Sequence, residues 1–218
     1  MDRRELPRRR AEAGHRLAAA GVSLGTALAA HLLLVRHGRS AHVHGGALLD
    51  REGMERWRTA YDAAGIADAP PAALVHEAAL ADRIVASDMP RAVASAERLA
   101  GGRAVTASPL LREVPLPIPT WLPGRAPLVV WGALISLRWG IDIARGRDAL
   151  PEWLEQARAA AAWCDDACGA DGTVVVVTHG VFRRLLARRL AATGWRAAPG
   201  RRSYAPWSVW RLSRPSAA

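Results

Sequence analysis

LLLVRHGRS, residues 32–40, is the stretch that decides how this chain is read. Leu32 to Val35 is a short apolar run of the kind that forms a buried strand. Arg36, His37 and Gly38 follow at its carboxyl end, where open α/β sheets take their ligands. An arginine there can grip the oxygens of an anion, and an imidazole can react with it. Strand ends also carry polar residues simply because the chain turns into solvent. The triplet therefore matters only if the rest of the chain supplies partners for it.

A second strand ends in the same way. Thr173–Thr178, TVVVVT, is apolar throughout, as a strand buried on both faces must be, and His179-Gly180 closes it. Between the two lies RIVAS, residues 83–87, a shorter strand. A helix then opens at Pro90 with Ser87 or Asp88 as its cap, carries Arg91 in its first turn and ends at Gly101-Gly102. Helix amino termini favour anions through free N–H groups and the macrodipole. Two arginines, two histidines and a helix start converging on one point would suit a tetrahedral dianion such as a phosphoryl group.

Around these segments the chain alternates. Asp50 caps a helix with Met54, Trp57, Tyr61 and Ala64 on one face, and Ala67–Ala73 is a Pro-rich connection. Arg103–Ala107 reads as a third strand, and residues 115–127 hold five prolines and form a loop. Leu128–Leu137 is an apolar run stopped by Arg138, too short to span a bilayer. It is read as a helix packed over the domain or as a subunit contact in a homodimer. Pro151 opens a long helix with the stripe Trp153, Ala157, Ala160, Cys164 and Ala167, ended by Gly169. Residues 181–193 form a helix with Phe182, Leu185, Leu186 and Leu190 facing inward, and Trp207–Leu212 is a final strand at the sheet edge. The expectation is an α/β fold: a three-layer α/β/α sandwich with a mostly parallel central sheet. One domain covers 31–218, with an insertion around 115–150.

Residues 1–30 form an Arg- and Ala-rich extension. Its basic start, the apolar Gly21–Ala30 and the Ala-x-Ala at Ala27–Ala29 resemble a signal peptide. Two Gly, a Ser and a Thr interrupt the apolar part, and cleavage would fall against the first strand. A loosely attached amphipathic helix or an overlong amino terminus is the preferred reading, with a cytoplasmic protein expected and secretion the alternative.

Composition narrows the function further. The chain has 218 residues, half of them apolar, which is enough for one sizeable core. All 30 basic residues are arginine, and the formal charge is +10. The absence of lysine excludes a P-loop and any Schiff-base lysine. Nine arginines and no acid lie between Arg183 and Arg214. That stretch carries no nucleic-acid-binding motif, so it is read as a solvated basic face, with a polyanionic small substrate rather than nucleic acid or a membrane as the partner. Cys164 and Cys168 are spaced poorly for a disulfide and are too few for zinc; they are read as buried or half-buried thiols.

Four segments resemble the motifs of the histidine phosphatase superfamily, the phosphoglycerate mutase-like proteins. They are LLLVRHGRS, ASDMPRAVASA at 86–96, LLREVPLP at 110–117 and VVVTHGVFRRLL at 175–186, in the family's order. The resemblance implies roles. His37 matches the nucleophile that becomes a phosphohistidine. Arg36 and Arg91 match the arginines of the phosphate pocket, and His179 matches its second histidine. Glu113 matches the acid that protonates the leaving oxygen, with Asp88 and Glu77 as weaker alternatives. No metal or other cofactor is implied. Val43 stands where the family often has a phosphate-holding Asn, with His42 and His44 beside it. Of the family's Gly-x-x-Gln-Ala helix only Gly53 matches. These departures bear on substrate contacts. The expected activity is a metal-independent phosphatase acting on a small phosphomonoester. A mutase-like phosphotransferase, or a silent phosphate- or nucleic-acid-binding module using the basic carboxyl-terminal region, is the alternative.

Overall fold

The first core strand, β1 (Ala29–Arg36), pairs in parallel with β4 (Thr173–Thr178) and antiparallel with β6 (Val209–Pro215). In this computed structural model the described residues are 29–43, 45–115, 118–120, 124–145, 150–200 and 202–215. Most of the extension, His44, Trp121 and the end of the 115–150 segment lie outside them. On the other side of β4 come β2 (Arg83–Ser87) and β3 (Val105–Ser108), both parallel to it. With β5 (Arg196–Ala197) the sheet runs β3-β2-β4-β1-β6-β5.

Alternating strand residues set the layers. Leu32, Leu34, Val174 and Val176 face one side, where they pack with Trp153, Ala157, Phe182 and Leu186. Those partners lie on α5 (Leu150–Cys168) and α6 (Gly180–Ala192). Leu33, Val35, Val175 and Val177 face the other, against Leu74, Ala78, Ala92 and Leu99. These come from α2 (Ala72–Ala79) and α3 (Pro90–Ala100). Both faces of β4 are thus buried, which is why its run is apolar without alternation. The fold is the expected three-layer α/β/α sandwich with a mostly parallel sheet. A third cluster joins Met54 of α1 (Arg51–Ala63) to Trp131 and Ile135 of α4 (Leu128–Ala144). Among the described residues no helix is long and apolar enough to cross a membrane.

Several expectations need correction. Helix α2 begins inside the expected Pro-rich connection, at Ala72, and continues through 74–79, for which no element was expected; its eight residues follow Pro71 and bury just Leu74 and Ala78. Helix α4 does not stop at Arg138 but runs to Ala144, since arginine is a good helix former. Strand β6 is not the edge, because the two-residue β5 lies outside it. β1 begins at Ala29, so its first pairs, Ala29 with Pro215 and Ala30 with Arg214, reach into the segment read as an extension. Neither Ser87 nor Asp88 caps α3; its N-cap is Met89, without a side-chain bond. Asp50 does cap α1, accepting from Gly53 N at 2.7 Å. On α5, Cys164 and Cys168 are free thiols, both buried.

Leu34 is fully buried at the centre of this arrangement. Leu34→Ala should cost about 3 kcal/mol of stability, read as a lower midpoint in urea unfolding with an unchanged slope.

Candidate active site

The register of β1 on β4 places the two histidines together. Arg36 pairs with Thr178, so His37 and His179 are each one residue past the last pair. His37 N donates to Thr178 O at 3.0 Å, and the two imidazole centroids are 5.1 Å apart. The end of β2 supplies Ser87, whose hydroxyl is 2.9 Å from His179 Nε2. The start of α3 supplies Arg91, buried with its Nε donating to His37 Nε2 at 3.3 Å. Helix α1 steadies this guanidinium from below: Nη1 donates to Tyr61 O at 3.3 Å and to Asp62 Oδ1 at 3.2 Å, over the Tyr61 ring.

These contacts fix the state of His37. Its Nδ1 lies 2.7 Å from Gly38 O, which can only accept, so Nδ1 carries the proton. Arg91 Nε–H can only donate, so Nε2 presents a lone pair. The imidazole is neutral, with Nε2 as its nucleophilic atom. Burial favours the same state. It pushes the His37 pKa down to about 3, helped by the charges of Arg91, Arg36 and Arg183 and opposed by the bond to Gly38 O. Burial likewise takes His179 well below its ordinary value, with Arg91, His37 and Arg36 adding to it.

Gly38 keeps the turn close. A Cβ there would come within 2.5 Å of the Trp207 ring, and Gly38 N donates to Ser95 Oγ at 2.9 Å. No other residue fits without moving that indole.

Glu113 reaches the site from the chain after β3. Its carboxylate accepts from Phe182 N at 2.7 Å and from Val181 N at 3.2 Å, in the first turn of α6. His179, the N-cap residue of that helix, makes no side-chain cap, so Glu113 supplies the cap instead. Burial pushes its carboxyl above the usual carboxylate range, against the pull of the N–H donors and of Arg91. Glu113 and Arg36 line one open pocket of about 240 Å³, with Trp139, Val181, Arg184 and Tyr204. The structure therefore brings Arg36, His37, Arg91, Glu113 and His179 together. It does not bring the two alternatives for the acid: Asp88 pairs with Arg112 at 2.6 Å, and Glu77 with Arg211 at 2.6 Å. Of the loop histidines, His42 lies tilted against Trp57 with centroids 5.6 Å apart.

Arg183 overturns part of the reading of the basic stretch. It is fully buried, not on a solvated face. Its guanidinium donates to Leu34 O, Ser203 O and Ser208 O and lies 4.2 Å from the Trp210 ring centroid. Burial, with Arg36 nearby, lowers its pKa to about 10. Those bonds anchor the segment whose Tyr204 carbonyl accepts from Arg36. Arg211 and Arg214 are also neutralised, by Glu77 and Asp165. Sequence reasoning missed Arg183, Asp62 and Tyr61 as supports of the site. Only the burial of a cation and its partners distinguishes them, and neither has a sequence signal.

No family model matches the chain, and no curated protein matches it. Among solved structures, it is similar to a mycobacterial glucosyl-3-phosphoglycerate phosphatase, at 20% identity over 85% of this chain and 90% of that one, with a TM-score of 0.48. A phosphoserine phosphatase mutant from Entamoeba histolytica, in complex with phosphoserine, shares 17% identity over 74% of this chain and 80% of that one, with a TM-score of 0.45. A protein described as mycobacterial hydrolase 2 shares 20% over 85% and 82%, with a TM-score of 0.46.

Because its pKa is depressed, His37 stays neutral throughout the physiological range and takes up a proton only near pH 3. In a nitrogen-resolved NMR titration its ring should remain the Nδ1–H tautomer down to about pH 4. An imidazole titrating near 6.5 would contradict this geometry.

Proposed function

We propose that this chain is a phosphatase of the histidine phosphatase superfamily, hydrolysing phosphomonoesters through a phosphohistidine on His37. The observation that carries the proposal is the neutral His37 Nε2 lone pair set against Arg91, with Arg36, His179 and Glu113 around it. A phosphoryl dianion entering beside His37 would take over N–H donors of Arg91 and Arg36, and Arg91 Nε would turn from His37 Nε2 to a phosphoryl oxygen. Nε2 is then free to attack phosphorus. Positioned cations stabilise the charge spread over the transferring oxygens, usually the largest single contribution to such a reaction. The reading calls on no metal ion.

Protons balance through Glu113. As Nε2 bonds to phosphorus the ester P–O bond breaks, and the leaving oxygen takes the Glu113 proton. Water then attacks the phosphohistidine, Glu113 takes its proton back, the N–P bond breaks and phosphate departs. A carboxyl raised by burial suits the first step, since it holds its proton to higher pH than a solvated one. In this reading His179, neutral with its Nε2 bonded to Ser87 Oγ, donates to a phosphoryl oxygen from Nδ1, which has no hydrogen-bond partner among the described residues.

The test is hydrolysis of 4-nitrophenyl phosphate in excess chelator, which His37→Ala should abolish together with the acid-labile, base-stable phosphoenzyme. Persistent turnover in that variant would sink the proposal. In kcat/KM, which reports phosphoryl transfer to His37, Glu113→Gln should slow alkyl phosphates by roughly 10²- to 10⁴-fold and nitrophenyl phosphate far less, because nitrophenolate leaves without a proton; kcat should fall for both, since water attack loses its base. In the parent protein kcat/KM for an alkyl phosphate should fall as pH rises through the raised Glu113 pKa, and that limb should vanish in the Gln variant.

A further inference from the structure

The pocket beside Glu113 is the place for the leaving group, because the group that protonates the leaving oxygen must face it. Resting on the phosphatase reading, we propose that the alcohol part of the substrate is a single aromatic ring carrying an anionic substituent, packed against Trp139 and Tyr204 with its charge toward Arg184.

Beyond Arg36 and Glu113, the lining side chains are Trp139, Val181, Arg184 and Tyr204. Both aromatic residues are braced. Trp139 packs against the core beneath α5 and α6, and the Tyr204 ring lies edge-on to Trp210 with centroids 5.3 Å apart. Such walls favour a flat apolar group, which loses little freedom on stacking there. Among the described residues no Ser, Thr, Asn, Gln or Asp side chain lines the pocket. Recognition of a sugar would need several such groups to pair its hydroxyls, since buried polar groups must be satisfied.

Size and charge narrow the class further. The volume of about 240 Å³ lies between the ~150 Å³ cavity that takes one benzene ring and the ~300 Å³ lower bound of drug-sized sites. That is the scale of one substituted ring. Arg184 is exposed at the rim and forms no ion pair among the described residues. Its neighbour Arg183 is spent on backbone carbonyls. An anionic substituent therefore meets a cation that has no ion-pair partner among the described residues.

The experiment compares 3-carboxybenzyl phosphate with its neutral isostere, 3-carbamoylbenzyl phosphate, and both with glycerol phosphate and glucose 6-phosphate, all esters of alcohols of similar acidity. Wild type should favour the carboxylate over the amide about fivefold in kcat/KM, the size expected of a partly exposed charge pair, and both benzyl esters over the two polyols. Arg184→Gln, on the exposed face of α6, should bring the carboxylate-to-amide ratio to about one. Trp139→Leu, which keeps an apolar residue in α4, should reduce benzyl-ester turnover about tenfold with less effect on glycerol phosphate. A preference for a polyol phosphate, or a ratio indifferent to Arg184, overturns this inference and leaves the phosphatase reading standing. If no phosphate ester is hydrolysed at all, both fall.

Discussion

The hydrogen bond from Arg91 Nε to His37 Nε2 joins residues 54 positions apart and organises most of what surrounds it. A cation pressed against an imidazole is tolerable only while that imidazole is neutral. Burial and the neighbouring guanidiniums of Arg36 and Arg183 ensure this. The Arg91 charge must itself be held, and α1 does so with Asp62, the Tyr61 carbonyl and the Tyr61 ring. The consequence is a concentration of positive charge around a free lone pair. Such an arrangement suits an anion whose central atom is electrophilic.

Glu113 shows one group meeting a structural and a chemical demand together. Helix α6 starts at the carboxyl end of β4, where its first N–H groups point into the site and His179 leaves them uncapped. Glu113, nearly seventy residues earlier in the chain, accepts from two of them. The contact that closes the helix also holds a carboxyl beside Arg36, in a buried setting that raises its pKa. Positioning and tuning therefore have a common cause.

Much of this was legible in the chain because strand order and polarity are local properties. The unbroken apolar run of β4 requires burial on both faces, and two histidines one residue past their strand ends become neighbours as soon as those strands pair in register. The apolar stripe of α5 and the Asp50 cap of α1 were equally visible. Helix α2 was not, since an eight-residue segment burying two side chains carries almost no periodicity. Nor was Arg183, which in sequence is one of nine arginines in a basic stretch and in space is the one beneath β1 and β6, held by carbonyls of both sheet and loop.

The sequence by itself determined the layered α/β fold and the kinds of side chain available at the strand ends, because side-chain chemistry and hydrophobic period are written position by position. Tertiary structure alone decided which guanidiniums face the site, which are buried as struts and which are neutralised by distant acids. It also fixed the protonation of His37, by placing an acceptor at one ring nitrogen and a donor at the other. Those outcomes depend on partners brought together across the sheet, and a hydrogen bond between residues far apart in the chain exists only once the strands between them have paired.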